Sequence, residues 1–286
     1  MRFSILFLFS IVVFQSVAQI DTIRFYVTGG STEMVDGNLL DLKAFNTTPQ
    51  FTVNSPIIIS EVNSTVYIRL INLDDIDHAL EIPGIVTIGN VLPGDSSGVE
   101  TTFLNSGIFR YFDPLNFPYN SYIGLSGILH VKSSGDNTPY FYWDLSEHHV
   151  DWNLSILGGN NPELSAYDPK YFTVNGNSDM DIDMDPLAKI VGSVGNELKL
   201  VIVNNGLSIH SIHFHGYHGT ITSSSRNSMH IGWEKDTFPV YPNEYMVISI
   251  TPDKSGEYPI HDHNLVAVTG GGIYHAGMIS TIVVTP

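Results

Sequence analysis

After residue 18 the chain is a succession of short apolar-rich runs separated by Gly, Pro, Asn and Asp. Pro56 to Ile59, Thr65 to Leu70, Leu198 to Val203 and Tyr245 to Ile250 are four of them, rich in β-branched and aromatic residues. Such residues suit a pleated, half-buried surface, and the turn formers hold each run to strand length. No stretch shows the sustained 3.6-residue apolar period with caps that a long helix needs, so helices should be few and short. The pattern predicts an all-β protein built of β-sandwiches or barrels.

The pattern also repeats loosely. In the first half it runs from Asp77-His78-Ala79-Leu80 through Val91-Leu92-Pro93-Gly94 to Gly107 through Asp113. In the second half it runs from His210 through Val240-Tyr241-Pro242-Asn243 to Gly256 through Asp262. Two copies of one sandwich is the economical reading, with the boundary in the polar stretch Ser133 to Thr138. The predicted organisation is an N-terminal domain over 19–133, a linker and leading strand over 134–170, and a C-terminal domain over 171–286.

The N-terminus adds a compartment. Arg2, the apolar run Ile5 to Phe14 and the small residues Ser16-Val17-Ala18 read as a removed signal peptide, residues 1–18. No later run approaches the length of a membrane span, so an exported, periplasmic or extracellular protein is expected. A net charge of −17 excludes nucleic acid and anionic membrane surfaces as partners, since both reward Lys and Arg. The chain has no cysteine, which removes thiolate nucleophiles, Zn–Cys sites and any His/His/Cys blue-copper centre.

Candidate chemistry lies in the histidines. His210-Ser211-Ile212-His213-Phe214-His215-Gly216 and His261-Asp262-His263 place alternate histidines on strands. Residues i and i+2 share a face, so His213 projects with His215, and His261 with His263. If the strands are neighbours, four imidazoles converge in a nitrogen-rich patch that suits Cu, Zn, Ni or Fe rather than Mg or Ca. Parity sends His210 and Asp262 to the opposite face, where His275 and Met278 could join them in a second site. For His78, His130, His148 and His149 the ordinary expectation is solvent exposure. Three other stretches read as structural. Asp179 to Asp185 is expected as a solvated loop or edge strand, Asp144 to His149 as an exposed loop or strand end, and Gly270-Gly271-Gly272 as a flexible turn.

Several of these segments, in this order, resemble the C-terminal cupredoxin domain of the multicopper oxidases over most of residues 171–286. Phe172-Thr173-Val174-Asn175-Gly176 resembles that domain's opening strand, and His210 through Gly216 its H-x-x-H-x-H-G box. Asp236-Thr237 with Pro242 and Glu244 is similar to a further family segment. Gly256 through His263 stands where the family has G-x-[WY]-x-x-H-C-H, and Ala276-Gly277-Met278 closes the match. The resemblance implies that His213, His215, His261 and His263 are half of the eight histidines of a trinuclear copper cluster. It implies that His210, the residue at 262 and the Met are type 1 copper ligands.

The departures are equally specific. Asp262 stands at the cysteine, His275 lies only three residues before Met278, and the first domain offers His78-Ala79-Leu80 and Phe112-Asp113 where cluster histidines would stand. The expectation is two cupredoxin-like sandwiches with copper on the four-His patch, acting as a non-blue copper-dependent oxidoreductase toward a small-molecule or metal-ion reductant. The alternative is a non-catalytic copper-handling protein or a metal-free scaffold. Relatives of this size often assemble as trimers, so the resemblance also admits a homo-oligomer, a trimer.

Overall fold

The computed structural model describes residues 21–286, so the signal-peptide reading of residues 1–18 lies outside the described residues. Strands account for nearly all regular structure, arranged as two β-sandwiches. In the first, the strands Leu39–Asn46, Asp21–Glu33, Thr65–Asn72 and Ser96–Thr102 form one sheet. The strands Ile58–Glu61, Ser126–Lys132, Gly107–Phe112, His78–Ile82 and Val86–Val91 form the other. The alternation of exposed and buried positions along Thr65–Asn72 is the period-2 pattern read from the sequence, with Val66, Ile68 and Leu70 inside. Between the sheets Phe25, Phe45 and Tyr111 pack ring against ring, with centroids 4.8–5.9 Å apart.

The second sandwich pairs a six-stranded sheet with a five-stranded one. The six-stranded sheet holds Tyr171–Val174, Tyr140–His148, Leu198–Asn204, Tyr245–Ile250, Gly219–Ser224 and Glu234–Lys235. The five-stranded sheet holds Val191–Ser193, Ile279–Thr285, Gly256–Asp262, His210–Phe214 and Thr237–Val240. Trp143, fully buried, fills this core and donates its indole N–H to the Ala188 carbonyl at 3.0 Å.

Each sandwich is pinned by an equivalent buried asparagine at the end of a central strand. Asn72 donates its amide to the carbonyls of Ile76 and Val91, and Asn204 donates to those of Ser208 and Val240, all at 2.7–2.9 Å. Each side-chain oxygen accepts from a backbone N–H two residues on, that of Asp74 or of Gly206. These bonds satisfy loop backbone that leaves one sheet for the other, which is where a sandwich otherwise strands polar groups.

The sandwiches meet through Ile108 and Ile128 of the first and Tyr142, Val201, Val203 and Val247 of the second. Beside this apolar contact, Arg110 donates Nε to the Asn205 side-chain oxygen and Asn205 donates to Asp144, both at 2.6 Å. Burial pushes the Asp144 carboxyl up to about 7, against the opposing pull of Asn205 and Arg110.

Helices among the described residues are short, as expected, the longest of them being Val150–Leu157. The acidic run Asp179 to Asp185 is neither loop nor edge strand: Met180–Met184 is a helical turn. Ile182 anchors it in the core, and Asp183 accepts from the Ser280 hydroxyl and pairs with Lys189 at 2.8 Å. Gly271 and Gly272, both at positive φ, form the two-residue turn of a small hairpin between Thr269–Gly270 and Ile273–Tyr274. No helix among the described residues is long and apolar enough to cross a membrane.

Replacing Asn204 with Ala leaves two buried carbonyls and one N–H without partners. Asn204→Ala is expected to lose about 2–4 kcal/mol in urea unfolding. Thr65→Ala, which removes an exposed hydroxyl pair, should change stability by under about 0.5 kcal/mol.

Candidate metal centre

The strands His210–Phe214 and Gly256–Asp262 are antiparallel neighbours, and His213 stands directly opposite His261. The ladder continues past both strand ends, with His215 N donating to Pro259 O at 2.9 Å and His263 N to Ser211 O at 2.7 Å. That register brings all four histidines to one face. The His213 ring lies 4.8 Å from His215, 5.6 Å from His261 and 5.4 Å from His263, centroid to centroid.

Two of the rings have a fixed tautomer. His261 Nδ1 donates to the Asp262 carbonyl at 2.7 Å, which leaves Nε2 as the lone-pair nitrogen. His213 Nδ1 lies 2.9 Å from the Thr237 hydroxyl, which itself donates to the Asp236 carboxylate at 3.0 Å. The hydroxyl hydrogen is thus committed to Asp236, and His213 must be the donor to Thr237. This orienting pair comes from the Asp236-Thr237 segment singled out in the sequence.

The remaining geometry centres on His215 and His261, whose Nε2 atoms face each other at 3.1 Å. Slight burial, then the neighbouring His213 and His261 rings, hold His215 below the ordinary imidazole range, so its ring stays neutral. Two imidazole nitrogens bound to one ion at about 2.0–2.1 Å stand roughly 2.9–3.4 Å apart for angles between square and tetrahedral. The observed gap falls within that range, and the donors fit a borderline-soft transition metal. No three His, Asp or Glu side chains among the described residues already converge on a single point as a finished site. His213 and His263 therefore flank a two-nitrogen seat rather than complete it.

The opposite face is built differently. His210 and Asp262 do meet there, as parity implied, with Nδ1 2.6 Å from Oδ2. A third group that the sequence reading missed, Glu147, takes His210 Nε2 at 2.9 Å. Both ring nitrogens donate to carboxylates, so His210 is an imidazolium with no lone pair to offer an ion. Burial opposes that charge, but the bonds to Asp262 and Glu147 and their charges raise the His210 pKa to about 9. Glu147 is fully buried yet held below its ordinary value, because His210 and the N–H groups of Leu207 and Ser208 bind its ionised form.

His275 does not join this group. It is exposed beyond the glycine hairpin, 4.0 Å from Asp179, while Met278 is buried in the apolar core. The signal for Glu147 was parity, since it shares a strand face with the core residues Phe141, Trp143 and Leu145. The stretch Asp144 to His149, expected as an exposed loop or strand end, lies largely inside the buried strand Tyr140–His148.

The first sandwich repeats the arrangement. His78 Nδ1 donates to Asp113 at 2.6 Å and Nε2 to Asp74 at 2.7 Å. The N–H groups of Ala79 and Leu115 bind Asp113 just as those of Ser211 and Asn264 bind Asp262. Asp74 is further paired with Lys43. The expected exposure of His78, His130 and His148 is therefore wrong: all three are buried. His78 is ion-paired, and His130 is bonded to the Tyr142 hydroxyl at 2.8 Å. His148 lies against Tyr122, where burial depresses its pKa to about 4. His149 is half-buried and caps the helix Val150–Leu157 by accepting from Asp151 N.

Fold and site together describe a two-domain cupredoxin-type protein with one histidine-rich face on its second domain. Residues 159–284, the second domain and the segment leading into it, match the multicopper oxidase family. Three solved structures share the architecture. A blue copper oxidase from Nitrosomonas europaea is 19% identical with a TM-score of 0.75, covering 93% of this chain and 86% of its own. The multicopper oxidase mgLAC is 21% identical with a TM-score of 0.75, covering 94% and 88%. A copper nitrite reductase from Nitrosomonas europaea is 15% identical with a TM-score of 0.70, covering 93% and 94%. No curated protein matches the sequence.

The triad makes stability depend on pH with a defined sign. His210 has a raised folded pKa, so its contribution is complete below the unfolded value of 6.5 and is lost as pH rises through about 9. Glu147 has a lowered folded pKa, so its contribution is present above the ordinary Glu value and lost as pH falls through its folded value. Chemical denaturation between pH 6 and 10 should show a loss of a few kcal/mol on the alkaline side. Asp262→Asn should flatten that alkaline limb.

Proposed function

We propose that this chain is an exported, non-blue copper protein of the multicopper oxidase family, binding copper on His213, His215, His261 and His263 and oxidising a small reductant. The observation that carries the reading is the His215–His261 pair, nitrogen facing nitrogen at 3.1 Å beside two further imidazoles. Copper bound there would supply one-electron redox chemistry. The chain's own residues do the rest. Thr237 and Asp236 fix the His213 ring, the Asp262 carbonyl fixes His261, and the exposure of His215 and His263 lets a small molecule or metal ion reach the face. The apolar N-terminal run and the small residues that follow it support export.

Export of a copper-holding protein without catalysis is the second reading. It is favoured by His210, whose two carboxylate bonds close the place where the family resemblance would put an electron-entry copper.

Metal analysis after Cu(II) loading should find about one or two ions per mature chain. His215→Ala combined with His261→Ala should abolish retention, and unchanged retention in that variant would overturn the site. Thr237→Val should weaken copper binding about 10–100-fold by freeing the His213 ring. No intense blue thiolate-to-copper band should appear, since the chain has no sulfur ligand of that kind. Copper-dependent O2 uptake with a phenol or a reducing metal ion separates the oxidoreductase from the copper-handling reading.

A further inference from the structure

A pocket of about 220 Å³ lies at the junction of the two domains. Its lining includes Ser106, His130 and Ser133 from the first domain, Asp136 and Tyr140 from the segment between the domains, and Lys199 from the second. The chain has only 12 Lys and Arg against 29 Asp and Glu, so two lysines at one place are conspicuous. Lys132 and Lys199 both stand over the Tyr140 ring, with Nζ 5.3 and 5.5 Å from its centroid.

We infer that this pocket is a binding site for a small oxyanion, a phosphate or carboxylate group held by Lys199, His130 and the pocket hydroxyls, with Lys132, outside the lining but over the Tyr140 ring, adding its charge. His130 is only 4% exposed and lines the cavity, and its Nδ1 is taken by the Tyr142 hydroxyl. With the Tyr142 hydroxyl donating to Nδ1, Nε2–H is the neutral donor left for the pocket. Burial, then the Lys132 charge, holds its pKa at about 4, so the donor is the same throughout the neutral range.

The carboxylates nearby are already engaged. Asp136 accepts from Thr138 N at 3.0 Å and from the Tyr140 hydroxyl at 2.9 Å. Glu197 accepts from Ser249 at 2.6 Å and stands 3.9 Å from Lys199. No carboxylate among the described residues lies within 4.0 Å of Lys132. An anion here would bridge groups of both sandwiches and would not involve the histidine-rich face.

Thermal unfolding of the metal-free mature protein tests the site, with inorganic phosphate, acetate, benzoate and chloride compared at equal ionic strength and pH 7. At saturation, phosphate or a carboxylate should raise Tm by about 2–4 °C beyond chloride. The shift should shrink in Lys132→Gln and in Lys199→Gln and vanish in the double variant. It should persist in Lys254→Gln, which removes a lysine placed over Tyr258 at a similar distance. A response to benzoate and acetate alone assigns the anion to an organic acid, and a response to phosphate assigns it to an inorganic oxyanion. A shift equal to that of chloride, or one that survives in the double variant, overturns the site.

Discussion

A charge buried between two opposite charges organises the second domain. His210, Asp262 and Glu147 lie in three strands, two from the five-stranded sheet and one from the six-stranded sheet, so the triad ties the sheets together across the core. An isolated ion in that position would cost several kcal/mol, and removing one partner of such a group typically costs 3–5 kcal/mol. The arrangement holds because every polar atom is answered: Asp262 also binds Ser211 N and Asn264 N, and Glu147 binds Leu207 N and Ser208 N. Fixing Asp262 fixes the backbone on both sides of it, which is where His261 and His263 stand. The core ion triad and the surface imidazoles are two faces of one strand.

The first domain shows that the device does not depend on the histidine-rich face. His78, Asp113 and Asp74 reproduce it with the same backbone donors, although no imidazole pair accompanies them. The second acid differs in origin. Asp74 sits four residues before its histidine, whereas Glu147 reaches His210 from a distant strand. Only in the second domain does the triad join sheets through that strand, and only there does the aspartate sit between two histidines of the opposite face.

Strand parity made much of this legible. The alternation in His213-x-His215 and His261-x-His263 put four rings on one face and Asp262 on the other, and the register confirmed that convergence. Parity says nothing about burial, which is why His78, His130 and His148 were misread. His78 and His130 lose their preference for water because a carboxylate or hydroxyl partner arrives from another segment, while His148 is buried by packing on Tyr122, and neither can be counted along a sequence. Glu147 was hidden for the same reason: its partner is 63 residues away. The helical turn at Met180–Met184 depends on Ser280 and Lys189 for its acid groups, again contacts without a local signature. His275 was misplaced because the two-glycine turn carries it out of the core.

The chain Arg110–Asn205–Asp144 at the domain junction has a mechanical meaning. Pulling the sandwiches apart would leave a guanidinium on one side and a carboxylate with its amide on the other, each stripped of a short hydrogen bond, and would expose the apolar strip around Ile128 and Val201. Opening the junction therefore carries a polar and an apolar cost at once, which couples the order of one sandwich, and of the histidine-rich face it bears, to that of the other.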